Sequence, residues 1–161
     1  RFICVISMYE GVLHSYDADF EVDAVGSEFV LRFDRESFDA APSSIATLPE
    51  EFSITAPATE SSFSRSADID IEVTWESTSS DPMTIQLTGD CIGLYVATEP
   101  VDNGTHTISM AEIEEDQMDD FSTCTAELVI ERRKGGSLDS AFGGGTVFGA
   151  QKRTIQLKLE P

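Results

Sequence analysis

The fold of this chain is decided by ITAP at residues 54–57, followed after a serine-rich turn by DIDIEVTW at 68–75. The first piece predicts a short strand that its proline ends, because proline has no N–H to donate to a neighbouring strand. The second piece alternates polar and apolar residues, and a period of two predicts a strand with one buried face. Since Ile71, Val73 and Trp75 share that face, we expect Trp75 to lie in a core.

Strand patterns continue through the rest of the chain. From about residue 51 onward, turn residues separate seven short runs rich in apolar and β-branched residues, which predict strands. These runs are 52–55, 69–75, 83–88, 92–98, 105–109, 124–132 and 146–159. Seven short strands at such intervals are typical of a β-sandwich over residues 51–161. The last run alternates cleanly over 154–159, so we expect one of its faces to be in contact with water.

Residues 1–50 predict a smaller N-terminal β-element. The apolar run 2–7 is typical of a strand buried on both faces, and 20–25 with 29–33 predict a hairpin around a Gly-Ser turn. The stretch 34–50 is rich in Ser, Ala, Pro and Asp, which predicts a linker or a long surface loop. Because so short a segment can hardly bury a stable core alone, we expect it to end a preceding β-domain or to dock on the next one.

One short helix is predicted between the strands. Ser109 and Glu112 match the S-x-x-E capping box, in which each side chain bonds a backbone N–H at the start of a helix. The apolar residues of 110–121 fall near one face, and the acidic residues between them fall on the other. We expect one to three helical turns.

The charge of the chain excludes some partners. Asp and Glu number 30 against 10 Lys and Arg among 161 residues, which gives a formal net charge of −20. Nucleic acid is excluded as a partner, because binding phosphates needs clustered Lys and Arg, and an anionic membrane surface is disfavoured for the same reason. A hydrophobic fraction of 40% supplies a real core, so the acidity is typical of a self-repelling surface in a salty or calcium-containing medium.

No apolar run has the length of a membrane span, so no membrane insertion is expected from this segment. The chain starts at Arg1 and continues at once into a strand-like run, without a signal peptide. We therefore expect it to be a processed or truncated piece of a longer protein.

The chain has three cysteines, Cys4, Cys91 and Cys124. Cys91 and Cys124 both adjoin strand-like runs and are expected to form a disulfide in an exported sandwich. A disulfide that closes a loop of this length raises the free energy of unfolding by roughly 3.5–4 kcal/mol. The alternative is two buried free thiols, as in cytosolic proteins. Cys4 is left over as a buried thiol, the partner of an upstream cysteine, or an intermolecular link. No CxxC or histidine pair indicates zinc.

Little in the sequence points to catalysis. His14 and His106 are the two histidines, and no G-x-S-x-G elbow accompanies them. Each is interpreted as a strand or surface residue, so the protein is predicted not to be an enzyme. Hydrolase activity that depends on either histidine is the third hypothesis.

Ligand binding has somewhat better candidates. Alternate carboxylates at 17–23 and 68–72 are interpreted as solvated sheet faces, because same-face neighbours lie roughly 6.5–7 Å apart, too far for one calcium without loop ligands. A weak calcium site without EF-hand order is offered by Glu114, Glu115, Asp116, Asp119 and Asp120. No cofactor other than calcium is expected.

Three tyrosines are candidate ligand-facing aromatics for a glycan, namely Tyr9, Tyr16 and Tyr95. Asn103-Gly104-Thr105 is an N-x-T sequon, which predicts a surface turn and a glycosylation site in a host that performs this modification.

Two groups of motifs resemble known proteins. ITAP at 54–57 with DIEVTW at 70–75 resembles the opening of Ig-like and fibronectin-like modules in secreted and cell-surface proteins. GDC at 89–91, CTAELV at 124–129 and LDSAFGGG at 138–145 are similar to bacterial outer-surface lipoproteins of unassigned function. The resemblance covers about residues 52–161 and carries no defined active site.

The resemblance implies an all-β chain with an Ig-like antiparallel β-sandwich. Trp75 precedes both Cys91 and Cys124, whereas vertebrate Ig domains place it between two paired cysteines, so the antibody disulfide topology is not expected. Cys4 has no preceding lipobox and is not assigned a lipid.

The function expected from these features is a non-catalytic structural or adhesive module, secreted or on a cell surface. It would have protein partners or associate with itself, as a candidate subunit of a surface assembly, because a strand-like segment can complete a neighbour's sheet. The alternative is a ligand-binding module for a glycan or calcium.

Overall fold

The computed structural model describes residues 2–9, 13–20, 24–36, 39–66, 70–113 and 122–161, and for the first two ranges it describes the backbone. Twelve strands lie in these ranges. Their bounds are β1 Phe2–Tyr9, β2 Leu13–Phe20, β3 Glu28–Phe33, β4 Ala41–Thr47, β5 Ile54–Ala56, β6 Ser62–Ser64, β7 Ile71–Trp75, β8 Met83–Gly89, β9 Ile92–Glu99, β10 Thr105–Ile108, β11 Cys124–Gly135 and β12 Gly145–Glu160. The protein is therefore all-β, and antiparallel pairing predominates.

The residues group into two compact units. Unit 1 contains Arg1–Glu51 and Arg132–Lys152, and unit 2 contains Phe52–Glu131 and Arg153–Pro161. The two long strands β11 and β12 contribute residues to both. Each unit therefore consists of two separate segments of the sequence. The division into domains at 1–50 and 51–161 stays a prediction.

Unit 1 contains an antiparallel set of strands in the order β2, β1, β12 and a separate hairpin of β3 with β4. Its small core consists of five buried residues with half-buried neighbours such as Phe33. The five are Ala41, Ala46, Leu48, Phe142 and Val147. The ring of Phe33 meets that of Phe142 edge to face at 5.7 Å between centroids, an arrangement that aromatic quadrupoles favour.

Two expectations for the N-terminal part are corrected. β3 pairs with β4, whereas Phe20, the first residue of the predicted hairpin, belongs to β2, which pairs with β1; residues 21–23 lie outside the described residues. Residues 41–47, within the stretch assigned to a linker, form β4 instead. The reason is that Ala41, Ser44 and Ala46 are small enough to be buried at close approach, although their low hydrophobicity gives no strand signal.

Unit 2 contains two sheets. One has the order β12, β11, β8, β9, with β6 parallel to β12, and the other has the order β10, β7, β5. Both sheets supply side chains to one core, including Ile71, Trp75, Ile85, Leu128 and Leu157, an arrangement consistent with a β-sandwich. Trp75 is buried, as its phase predicts.

The seven strands predicted from about residue 51 are all present in unit 2 or shared with it. Exposure alternates along the end of β12, where Leu157 and Leu159 are buried and Lys158 is exposed, as predicted. Within unit 2, β6 is a strand that the sequence does not predict, because its Ser-Phe-Ser sequence lies in a serine-rich stretch typical of a turn.

The predicted helix is corrected in part. Its described portion is a single 3-10 turn at Met110–Glu112, and the Ser109 side chain makes no capping hydrogen bond. The backbone carbonyl of Ser109 instead accepts the Glu112 N–H at 3.0 Å. Residues 114–121 lie outside the described residues. No helix in the described part of the chain is both long and apolar enough to span a membrane.

Candidate functional site

Tyr95 and His106, both candidate site residues from the sequence, meet Glu99 between β9 and β10. Tyr95 and Glu99 are four residues apart on β9, so the strand's alternation places them on the same face. His106 lies on β10, in the other sheet, with its side chain half-buried. We call these three residues the Tyr95–His106–Glu99 row.

The row is a continuous chain of hydrogen bonds. The Tyr95 hydroxyl lies 2.9 Å from His106 Nε2, and His106 Nδ1 lies 2.7 Å from Glu99 Oε1. When Glu99 is ionised and the imidazole is neutral, Nδ1–H donates to the carboxylate and Nε2 accepts the Tyr95 hydroxyl proton. The two rings lie 6.1 Å apart between centroids. The row thus connects the two sheets of unit 2 through satisfied polar groups.

The order of acid, imidazole and hydroxyl resembles that of nucleophilic triads. Burial raises the pKa of Tyr95, and the negative charges of Glu112 and Glu99 raise it further. The phenol therefore stays protonated at neutral pH and acts as a hydrogen-bond donor.

The turn that joins β9 to β10 is anchored by Asp102. Its Oδ1 accepts the indole N–H of Trp75 at 2.7 Å and the backbone N–H of Gly104 at 3.1 Å. Its backbone carbonyl accepts the Ser77 hydroxyl at 3.1 Å. Asp102 and Trp75 are both buried, so this carboxylate connects the core tryptophan to the turn.

The sequon lies at the tip of the same turn. Asn103 and Thr105 are exposed, and Asn103 Oδ1 accepts the backbone N–H of Thr105 at 3.0 Å. Gly104 has a φ of 80°, a conformation that glycine adopts without strain. The prediction that this sequence forms a surface turn is confirmed.

An apolar strip lies beside the row. Leu94 and Val96, on the opposite face of β9 from Tyr95, are 69% and 51% exposed, and Val101 after the strand is 58% exposed. In the described part of the chain, β9 is the last strand of its sheet and pairs only with β8. β9 therefore presents an unpaired edge with exposed apolar side chains, which is an unusual combination in a soluble protein.

The predicted disulfide joins Cys91 and Cys124, which begin the β9 and β11 regions, with their Cα atoms 6.1 Å apart. Cys4 lies on β1, opposite Ala18 and Gly149 in the backbone register, and its side chain lies outside the described residues. The disulfide therefore constrains the beginning of the edge strand.

The side chains of the other predicted site residues lie outside the described residues. Tyr9, Tyr16 and His14 lie on β1 and β2 of unit 1, and their side chains lie outside the described residues. So does the whole acidic set Glu114, Glu115, Asp116, Asp119 and Asp120. Within the described ranges, no group of three or more His, Cys, Asp or Glu side chains is placed to hold a metal ion. Glycan and calcium binding stay predictions.

The sequence analysis missed Glu99 and Asp102. The spacing of Tyr95 and Glu99 on one strand is a usable signal, since same-face residues of a strand are spaced by even numbers. Asp102 precedes Asn103-Gly104 and reads as an ordinary turn residue. Its contact with Trp75 depends on the pairing of β7 with β10, which no local pattern encodes.

Comparisons with protein-family models, curated proteins and solved structures give no match to this chain.

Proposed function

We propose that this chain is a non-catalytic structural module of the Ig-like type that assembles with further copies of itself on an extracytoplasmic surface. The observation that carries the proposal is the edge of β9 that pairs with no described strand, with Leu94 and Val96 exposed on β9. Such an edge offers both backbone hydrogen bonds and apolar contact to a second strand.

The charge distribution favours a second copy on this edge. The whole chain carries a net charge of −20, so most surfaces of two copies repel each other. β9 has a single charged residue, Glu99, whose carboxylate is already bonded to His106. The strand is thus a strip along which two acidic molecules can approach.

Pairing of β9 with its own copy also produces a matched register. An antiparallel pair centred on Val96 places Val96 opposite Val96 and Leu94 opposite Thr98, while Glu99 faces Gly93 and not another carboxylate. Cross-strand apolar pairs stabilise a sheet, and like charges directly opposite each other destabilise it. The interface is of the two-fold, self-complementary kind that is commonest in oligomers.

The disulfide supports an extracytoplasmic location, since disulfides persist in oxidising compartments. The polar groups of the Tyr95–His106–Glu99 row are satisfied by hydrogen bonds to one another. The row then acts as a polar connection that fixes β9 for pairing.

The test is the native mass by size exclusion with light scattering, over a range of protein concentrations. Measurements at about 1 M NaCl remove most charge repulsion, because the Debye length there is about 3 Å. We expect the average mass to rise with concentration from that of the 17.5 kDa monomer toward that of a dimer, with and without reductant.

The Val96→Lys variant locates the interface, because a lysine on an edge strand opposes strand pairing. Val30→Lys is the matched control, since Val30 is 67% exposed on β3 of unit 1. We expect Val96→Lys to be monomeric and Val30→Lys to assemble like the unmodified chain. A monomeric unmodified chain at all concentrations, or equal behaviour of the two variants, would refute the proposal.

A further inference from the structure

We infer that Asn103 is an acceptor site for an N-linked oligosaccharide. It is the single asparagine of the chain and stands first in an N-x-T sequon. This inference is independent of the assembly proposed above, because it concerns the turn after β9 and not the strand edge.

The turn displays the sequon to solvent. Asn103 and Thr105 are exposed, and both lie in the connection between β9 and β10, where no described segment covers them. An oligosaccharide attached at this position would extend into water without displacing a packed side chain. The surface location that glycosylation requires is therefore present in the folded chain.

The local hydrogen bonds leave the acceptor atom available. Asn103 Oδ1 accepts the Thr105 N–H at 3.0 Å, so the amide carbonyl is held inside the turn. The amide nitrogen Nδ2 has no hydrogen-bond partner among the described residues. The nitrogen that would carry the sugar is thus not engaged by the hydrogen bonds of the turn.

The middle residue of the sequon is fixed by the turn. Gly104 has a φ of 80°, and a Cβ at this position would lie 3.2 Å from Ser77 Cβ and 3.3 Å from the Trp75 carbonyl oxygen. Its N–H donates to Asp102, whose carboxylate also binds the buried Trp75. The sequon is therefore held at the surface by contacts that reach the core.

The step is a glycosyl transfer from a lipid-linked oligosaccharide pyrophosphate. A bond forms between Asn103 Nδ2 and the anomeric carbon of the first sugar, and the bond from that carbon to the pyrophosphate oxygen breaks. The lipid pyrophosphate leaves with the electron pair, and Nδ2 loses one proton. The disulfide between Cys91 and Cys124 is in keeping with the oxidising compartments through which such donors and exported chains pass.

The test is to secrete the full chain from a eukaryotic cell line and measure its intact mass before and after treatment with peptide N-glycosidase. We expect a mass increase of one oligosaccharide, which the enzyme removes while converting Asn103 to aspartate. Because the chain has one asparagine, the added mass needs no further assignment.

Four variants test whether the sequon itself directs the modification. Asn103→Gln and Thr105→Ala should lose the oligosaccharide, and Thr105→Ser should keep it because a hydroxyl remains at the third position. Thr107→Ala is the matched control, since Thr107 is exposed on β10 just outside the sequon, and it should be glycosylated like the unmodified chain.

A secreted, disulfide-bonded chain without an oligosaccharide would overturn the inference, and so would an oligosaccharide that persists in Asn103→Gln. A mass change from deamidation alone, present before enzyme treatment, would count against it in the same way. If a variant is not secreted, translation of that variant into microsomes gives the same readout, because transfer there does not require export of a folded protein.

Discussion

Replacing Asp102 with alanine removes the carboxylate that connects the core tryptophan to the turn between β9 and β10. The indole N–H of Trp75 and the backbone N–H of Gly104 both lose their acceptor, at 2.7 and 3.1 Å. Because Trp75 and Asp102 are buried, water does not readily replace the lost partner. We therefore expect unit 2 to be destabilised well beyond the effect of an ordinary surface substitution.

The magnitude follows from the number and kind of bonds. A hydrogen bond to a charged group contributes about 1.5–3 kcal/mol, and a buried donor left unsatisfied costs about 1–3 kcal/mol. We expect Asp102→Ala to lower the free energy of unfolding by about 3 kcal/mol. Asp102→Asn keeps an oxygen acceptor without the charge and should lose about 1 kcal/mol.

The assay is urea denaturation followed by tryptophan fluorescence and by far-UV circular dichroism. Trp75 is the single tryptophan of the chain, so its emission reports on this site directly. Val101→Ala is the control, because Val101 precedes Asp102 and is exposed, and such a change should stay within about 0.5 kcal/mol.

A double-mutant cycle shows whether the effect comes from the indole contact. Trp75→Phe removes the N–H donor, so Asp102→Ala should cost less in that background, with a coupling energy of about 1–2 kcal/mol measured by circular dichroism. Two results would contradict the reasoning: a loss for Asp102→Ala no larger than that of Val101→Ala, or strictly additive effects in the cycle.

Three further perturbations have clear expected results. Reduction of the disulfide should lower the free energy of unfolding by roughly 3.5–4 kcal/mol in urea titrations, and an unchanged midpoint would contradict this. Gly136→Ala should destabilise the protein by about 1–3 kcal/mol, because the new Cβ would lie 2.1 Å from the backbone oxygen of Ile45. Gly144→Ala, which meets nothing within 4 Å, is its control in thermal melts. Phenolate absorbance should appear for Tyr95 at a higher pH than for a free tyrosine, because its pKa is raised. In Glu112→Gln it should appear at a lower pH than in the unmodified chain, because one negative charge that raises this pKa is removed. Because the fold favours the neutral phenol, Tyr95 stabilises the folded protein at pH values below its pKa in the unfolded chain. This stabilisation is lost as the pH rises through its pKa in the folded protein.

Much of unit 2 follows from short-range rules. The alternation of Ile71, Val73 and Trp75 predicts both the strand β7 and the burial of its tryptophan, because side chains on a strand alternate between two faces. The Asn103-Gly104 turn follows from the conformations that these two residues tolerate. The Cys91–Cys124 pairing was favoured over free thiols from context, and the structure contains it.

The pairing of strands that are distant in sequence is not available from such rules. β3 could pair with either neighbour in the sequence, and its partner is β4, whose small residues Ala41 and Ser44 are buried. β6 is a strand only because it pairs in parallel with the end of β12, which is far away in the sequence. The Ser64 hydroxyl, for example, donates to the backbone carbonyl of Pro161, 97 residues further along the chain. Neither segment has enough apolar residues to be recognised alone.

The sequence by itself therefore determined the all-β class, most strands of unit 2, the burial of Trp75 and the sequon turn, because each depends on residues within one strand or one turn. The tertiary structure alone decided the Tyr95–His106–Glu99 row, the burial of Asp102 and the exposed edge of β9. These features depend on the order of strands in the sheets and on the contact between two sheets. Such order is fixed by the packing of the whole core, to which residues far apart in the chain contribute together.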